Sequence, residues 1–178
     1  MTARHVSSER FRVIVVDTGG TFNKRYRPID GALAVEEGSV AARAILDSAH
    51  ENVEIDWLQP VCKDSLEMTD TDREKVVVAL SQALKQTSGA PVVVIHGTDT
   101  IHLTGEVLAT TFPESRIVLT GAMRPFEIDP VESALNLGLA MGFVQSSPAA
   151  GVYVAMSGLV RPLERLVKDR RAGVFRPA

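Results

Sequence analysis

The sequence predicts an α/β fold: a doubly wound, flavodoxin-like, mostly parallel sheet of about five strands in a single domain over residues 1–178. Three observations predict it. Short β-branched apolar runs recur along the chain. Segments with helical periodicity and helix-start signals lie between them. The length, 178 residues, suits one such domain.

The apolar runs are Val13 to Val16, Val92 to Ile95, Ile117 to Leu119 and Val152 to Met156. Each is near-continuous rather than alternating, as in strands covered on both faces. Glu54 to Leu58 reads as a further strand, and a short helix is expected around Val40 to Ser48. Thr71 and Glu74 have the spacing of a capping box, and the apolar stretch after them runs to about Leu84. Thr100 to Thr110 reads as the next helix. Asp129 suits an N-cap, with Pro130 at the first helical position, and that helix is expected to run to about Val144. Strands alternating with helices imply parallel pairing through right-handed crossovers.

Composition narrows the function classes. The chain is 45% apolar and 23% charged, with net charge -3, which gives no electrostatic reason to expect nucleic acid. The basic stretch from Arg161 to Arg176 is interrupted by Glu164 and Asp169, and with few aromatics it does not change that expectation. Cys62 stands alone, so it can form no internal disulfide and belongs to no metal-binding cysteine cluster; a small apolar filler is expected. The start, MTARHVSSER, has no apolar segment of the kind a signal peptide needs. No apolar run approaches the ~18 residues of a membrane span. A cytoplasmic enzyme without a membrane or nucleic-acid partner is the expectation, although a binding domain would have a similar composition.

In doubly wound sheets ligands bind beyond the carboxyl ends of the strands, so the turns there carry the functional information. The first strand runs into Asp17-Thr18-Gly19-Gly20-Thr21. Ile95 is followed by His96-Gly97-Thr98-Asp99-Thr100, Leu119 by Thr120-Gly121-Ala122-Met123-Arg124-Pro125, and Met156 by Ser157-Gly158. Any one such turn is most often only a turn. Two are less ordinary. In TGGT a hydroxyl follows two glycines, where backbone N–H groups are unshielded. In GTDT an acid stands between two hydroxyls at a helix start. Together they suit a small polar ligand.

These residues carry a family resemblance. Thr18 to Phe22, TGGTF, resembles the first signature of the L-asparaginase/glutaminase family, and Val92 to Thr100, VVVIHGTDT, resembles the second. VLTGAMRP, Val118 to Pro125, is similar to the family's next strand and turn. GVYVAM and the residues on to Lys168 resemble the stretch leading to its active-site lysine. The resemblance covers almost the whole chain in the family's order, but without the usual second domain. The sequence therefore resembles the short, single-domain bacterial type, or an isolated N-terminal domain; its ordinary start and its completeness through Lys168 favour the short type.

The resemblance implies roles residue by residue. Thr21 would be the nucleophile; a hydroxyl needs a base or proton relay, and Tyr26, on the segment after TGGT, is the nearest candidate. A hairpin aromatic is the other reading of Tyr26. Asp99 would hold the substrate's α-ammonium. Thr98 would lie near the scissile amide, with Lys168 relaying protons to it. A solvated charge run with Asp169, Arg170 and Arg171 is the alternative for Lys168. Ser65, beside Asp64, would contact the α-carboxylate, and a turn serine is the alternative. Gly20, Gly97 and Ala122 would supply backbone to the pocket, with the N–H groups of Gly97 and Thr98 as oxyanion donors. His96 is expected to be a strand-end residue rather than a base.

The implied reaction is hydrolysis of L-asparagine to L-aspartate and ammonia through a β-acyl-threonine, with no metal or organic cofactor. Without a partner's second domain to complete the pocket, low affinity for asparagine and little use of glutamine are expected. A homo-oligomer, dimer or tetramer, is also expected. The rival readings are a truncated or degenerate domain that binds a small amino acid without turnover, an actin-like ATPase, and an aspartic protease. The ATPase needs a second lobe and the protease an all-β fold.

Overall fold

The computed structural model describes residues 10–178, so nearly all of the amino-terminal stretch read above for a leader lies outside the described residues. In chain order the elements begin with β1 (Phe11–Asp17), the hairpin β2 (Lys24–Arg27) and β3 (Ala32–Val35), α1 (Val40–Leu46), β4 (Val53–Leu58) and α2 (Asp70–Gln86). They continue with β5 (Val92–Ile95), α3 (Ile101–Thr111), β6 (Arg116–Thr120), α4 (Pro130–Gln145) and β7 (Gly151–Met156). The chain ends in β8 (Leu159–Pro162), β9 (Leu166–Asp169) and β10 (Val174–Pro177).

The apolar runs do form strands covered on both faces. Along β1, Ile14 and Val16 enter one core and Val13 and Val15 the other, following the two-residue period of a strand. The first core carries Val76 and Leu80 of α2 with Ile101 and Leu108 of α3. The second carries Ala41 and Ala42 of α1 with Leu137, Ala140 and Val144 of α4. Leu80, Ile117 and Leu137 are fully buried, and burying such a side chain contributes about 1.5–3 kcal/mol relative to exposure.

The main sheet has the order β4-β1-β5-β6-β7-β8. Its first five strands are parallel, in the flavodoxin-like order. The sixth is an addition to the expected five or so. β8 pairs antiparallel to β7 through the two-residue turn Ser157-Gly158, both residues having positive φ, 53° and 78°. That is the backbone a tight hairpin needs. Two further hairpins, β2–β3 and β9–β10, stand outside the main sheet.

One helix start lies elsewhere than the spacing suggested. The capping box is Thr69 with Asp72, not Thr71 with Glu74. Thr69 is extended and its hydroxyl accepts from the Asp72 N–H at 3.3 Å, while the Asp72 carboxylate accepts from the Thr69 N–H at 3.0 Å. An aspartate is short enough to close the box here, and it also takes Lys63 at 2.8 Å. The Asp129 cap forms as read, accepting from Val131 and Glu132 N–H groups at 3.1 and 3.3 Å.

Candidate active site

The strand order reverses between β4 and β5 on either side of β1, and the crevice beyond β1 and β5 is where such folds bind ligands. Glycines let the two loops meet there. A Cβ on Gly20 would lie 2.4 Å from the Gly97 Cα, and one on Gly97 would lie 2.5 Å from the Ser65 Cβ and Oγ. No side chain fits either gap. Gly20 also has φ 79°, a conformation that favours glycine. Backbone bonds from Gly20 N–H to Lys63 O, 2.8 Å, and from Lys63 N–H to Thr18 O, 3.1 Å, fix the first loop to the Ser65 segment. Thr21 follows as the first residue of a short 3-10 turn, partly exposed.

Beside this contact lies a cluster drawn from opposite ends of the chain. Lys168 on β9 donates to Thr98 Oγ1 at 2.7 Å and to Asp99 Oδ1 at 3.0 Å. Arg170 donates to the same Oδ1 at 2.9 Å and to the Asp99 carbonyl at 3.3 Å. The β9–β10 hairpin presents both cations, so the run at Asp169 to Arg171 is not merely a solvated face. Thr98, Asp99, Lys168 and Arg170 edge a cleft of about 410 Å³ whose floor includes Ile101, Leu166 and Phe175.

Ser65 is buried, and its carbonyl accepts from Thr100 Oγ1 at 2.8 Å, tying the segment to the start of α3. Asp64 faces Lys24 at 2.5 Å. Burial opposes its charge, but Lys24 and the Leu66 N–H outweigh that and hold the carboxyl below its ordinary range. Ala122 is fully buried in the second core, so its side chain faces the core.

Tyr26 is not brought to Thr21. It is 57% exposed on β2, with its hydroxyl toward Gly31, and its own N–H donates to Glu127 at 2.6 Å. The hairpin reading of this aromatic describes its position. His96 is fully buried with Nδ1 2.8 Å from Gly97 O and Nε2 2.7 Å from Thr104 Oγ1. A carbonyl can only accept, which assigns the proton to Nδ1 and makes Nε2 the acceptor. Burial lowers its pKa to about 4, so the ring is neutral and committed, as a strand-end residue would be. Burial, with Asp17 nearby, raises the Cys62 thiol to about 11, which removes it as a nucleophile at neutral pH.

Three contributors were not read from the sequence. Asp17 Oδ1 accepts from the Gly19 N–H at 2.9 Å and Asn23 Nδ2 at 2.7 Å, bracketing the loop that carries Thr21. Burial raises its pKa, and its Oδ2 has no hydrogen-bond partner among the described residues. Asn136 on α4 donates to Gly121 O at 2.9 Å and accepts from the Ser157 N–H at 3.1 Å, joining the ends of β6 and β7. Arg170 is the third; the charge run at 168–171 was its only sequence signal. Among the described residues no group of three or more His, Cys, Asp or Glu could hold a metal ion, and no helix is long and apolar enough to cross a membrane.

Residues 12–171 match the family model described as asparaginase, N-terminal. A probable periplasmic L-asparaginase of Haemophilus influenzae is 30% identical over 172 residues, covering 91% of this chain and 47% of the relative. A glutaminase-asparaginase of Acinetobacter glutaminasificans is 27% identical over 151 residues, covering 82% and 46%. The chain thus spans about half the length of these relatives. Among solved structures, the thermostable L-asparaginase from Thermococcus kodakarensis superposes with a TM-score of 0.79 at 24% identity, over 93% of this chain and 51% of that one. A probable cytoplasmic L-asparaginase from Campylobacter jejuni gives 0.77 at 24% identity, over 94% and 54%. At that identity the superpositions establish the fold.

Proposed function

We propose a function from the premise that the chain belongs to the asparaginase family, through the N-terminal domain that residues 12–171 match: it hydrolyses the side-chain amide of a small amino acid, L-asparagine being the simplest substrate. The observation that carries this reading is the ammonium of Lys168 hydrogen-bonded to both Thr98 and Asp99 beside the Gly20–Gly97 contact. A binding domain without turnover has no need of a lysine aimed at a threonine hydroxyl.

In this reading Thr21 Oγ bonds to the amide carbon. Its proton passes to the leaving nitrogen through the Thr98–Lys168 relay, the C–N bond breaks and ammonia departs. Water then adds to the acyl-threonine carbon, the ester C–O bond breaks, and the acid leaves with the hydroxyl restored. The N–H groups of Gly97 and Thr98 meet the oxyanion. Ser65 and Asp64 form the wall toward the substrate's carboxylate, and Gly20 and Ala122 contribute backbone. Tyr26 joins only if the β2–β3 hairpin turns inward from Glu127.

Ammonia release from L-asparagine by the purified chain tests this. Thr21→Ala and Lys168→Met should each lower the rate by roughly a thousandfold or more with the fold intact. Activity retained in either variant would remove that residue from the mechanism. Tyr26→Phe at full rate would leave the relay to Thr98 and Lys168 alone.

A further inference from the structure

Asp17 closes β1 fully buried, and Asn23, 4% exposed, ends the turn that carries Thr21. Asp17 Oδ1 accepts from the Gly19 N–H at 2.9 Å and from Asn23 Nδ2 at 2.7 Å. Nδ2 also reaches the Gly19 carbonyl at 3.4 Å, so the amide nitrogen faces two acceptors and its orientation is fixed. One oxygen of each group is left over. Asp17 Oδ2 and Asn23 Oδ1 are both buried and have no hydrogen-bond partner among the described residues. While the carboxyl is ionised both are acceptors, and neither can serve the other. One proton on Oδ2 turns the acid into a donor and satisfies both atoms.

The surroundings do not supply a countercharge. The cation that acts on Asp17 is Arg43 of α1, and its guanidinium is committed elsewhere: it stacks over Trp57 at 4.2 Å and donates to the Gly38 carbonyl at 3.1 Å. The other titratable groups on this side are Cys62, a neutral thiol, and Glu37 beyond it. Ser39, at the N-cap of α1, lies near the carboxyl and favours its charged form, but it leaves Oδ2 without a bond. An unpaired buried carboxylate is the costly form of the group. Burial outweighs Gly19, Ser39, Asn23 and Arg43 together and pushes the carboxyl above its ordinary range.

We propose that Asp17 is a neutral acid paired with the Asn23 amide through two hydrogen bonds, Nδ2–H to Oδ1 and Oδ2–H to Asn23 Oδ1, and that this closed pair sets the position of Thr21. Its second half rests on the reading of Thr21 as the nucleophile. Thr21 stands between the two ends of the pair: the Asn23 N–H donates to the Gly20 carbonyl at 3.1 Å, and Phe22 is fully buried. An ionised Asp17 would set two acceptors against each other and push Asn23 away, carrying the Thr21 hydroxyl with it. Asp17 touches no substrate in this reading and is a positioning residue.

Infrared difference spectra of the parent chain against Asp17→Asn at neutral pH test the proton directly. The parent should show the C=O stretch of a protonated carboxyl, and Asp17→Asn should lack it. The amide of Asp17→Asn donates where the acid donates, so this variant should keep kcat for ammonia release within about threefold of the parent. Asp17→Ala and Asn23→Ala should lower kcat by about ten- to a hundredfold with KM nearly unchanged. Urea unfolding of the parent and Asp17→Asn keeps the test open if the alanine variants do not fold. A native acid that holds its proton above the ordinary carboxylate value of 3.8 loses stability as pH rises, so the parent should weaken relative to Asp17→Asn between about pH 4 and pH 7. Absence of the carboxyl band, parallel pH slopes in the two chains, or a loss of kcat in Asp17→Asn as deep as in Asp17→Ala would overturn the proposal. A carboxyl band and divergent slopes in a chain that releases no ammonia would instead overturn the hydrolase reading, and with it the role for Thr21, while the acid–amide pair stands.

Discussion

His96 and Lys168 show how two titratable side chains of one fold are assigned opposite work. His96 is sealed under the crevice with both ring nitrogens engaged, and the group that reaches the hydroxyl of Thr98 is Lys168. The buried imidazole carries a consequence for stability. Its pKa falls from 6.5 to about 4 on folding, so the native state binds fewer protons than the unfolded chain between those values. The stability contributed by the neutral ring is complete above pH ~6.5 and is lost as pH falls toward 4. Urea unfolding should show a loss of about 2 kcal/mol between pH 7 and pH 5. His96→Asn, which cannot titrate, should lose the slope in that window. A variant as pH-dependent as the parent would assign the proton uptake to another group. The role of His96 was legible from its place after a buried strand. Asp17 was not, because its partners Gly19 and Asn23 become a clamp only once the TGGT loop has folded back.

At the scale of elements, helices were found wherever caps and periodicity coincided, with boundaries shifting by a turn or less. The α2 start moved because two overlapping pairs, Thr69 with Asp72 and Thr71 with Glu74, have the same spacing. Only the extended backbone at Thr69 and the reach of Lys63 to Asp72 decide between them. Thr69→Ala should therefore lower unfolding free energy by about 1 kcal/mol, measured in urea, whereas Thr71→Ala should leave it nearly unchanged. Equal losses would put the cap back at Thr71. The short carboxyl-terminal strands were invisible for a different reason. β8, β9 and β10 are four residues each and mix apolar with charged side chains, with a proline closing β8 and β10, so neither period stands out. β9 nonetheless delivers Lys168.

Across the whole molecule, residues 70 positions apart meet at the crevice because the crossovers carry the carboxyl ends of the five parallel strands to one rim and β9 folds back across it. The chain matches about half of its relatives' length, so closure of the pocket becomes a question of assembly. We propose that it works as a homo-oligomer, a dimer or tetramer. Light scattering coupled to size exclusion should give a mass at least twice that of the 19.2 kDa chain. A monomer that releases ammonia would show instead that one copy closes its own site. Low affinity for free asparagine and little use of glutamine would fit an open cleft in either case.

The sequence by itself determined the layered α/β fold, because continuous apolar runs can only be buried on both faces by helices. It also marked the loops of the crevice, because TGGT and HGTDT place glycines and hydroxyls where those strands end. The tertiary structure alone decided which polar groups work together. The two cations on Asp99, the clamp of Asp17 around the TGGT loop and the outward position of Tyr26 depend on distances between segments. No local pattern encodes those distances, since each is set by how the hairpins pack against a rim that exists only after the sheet has formed.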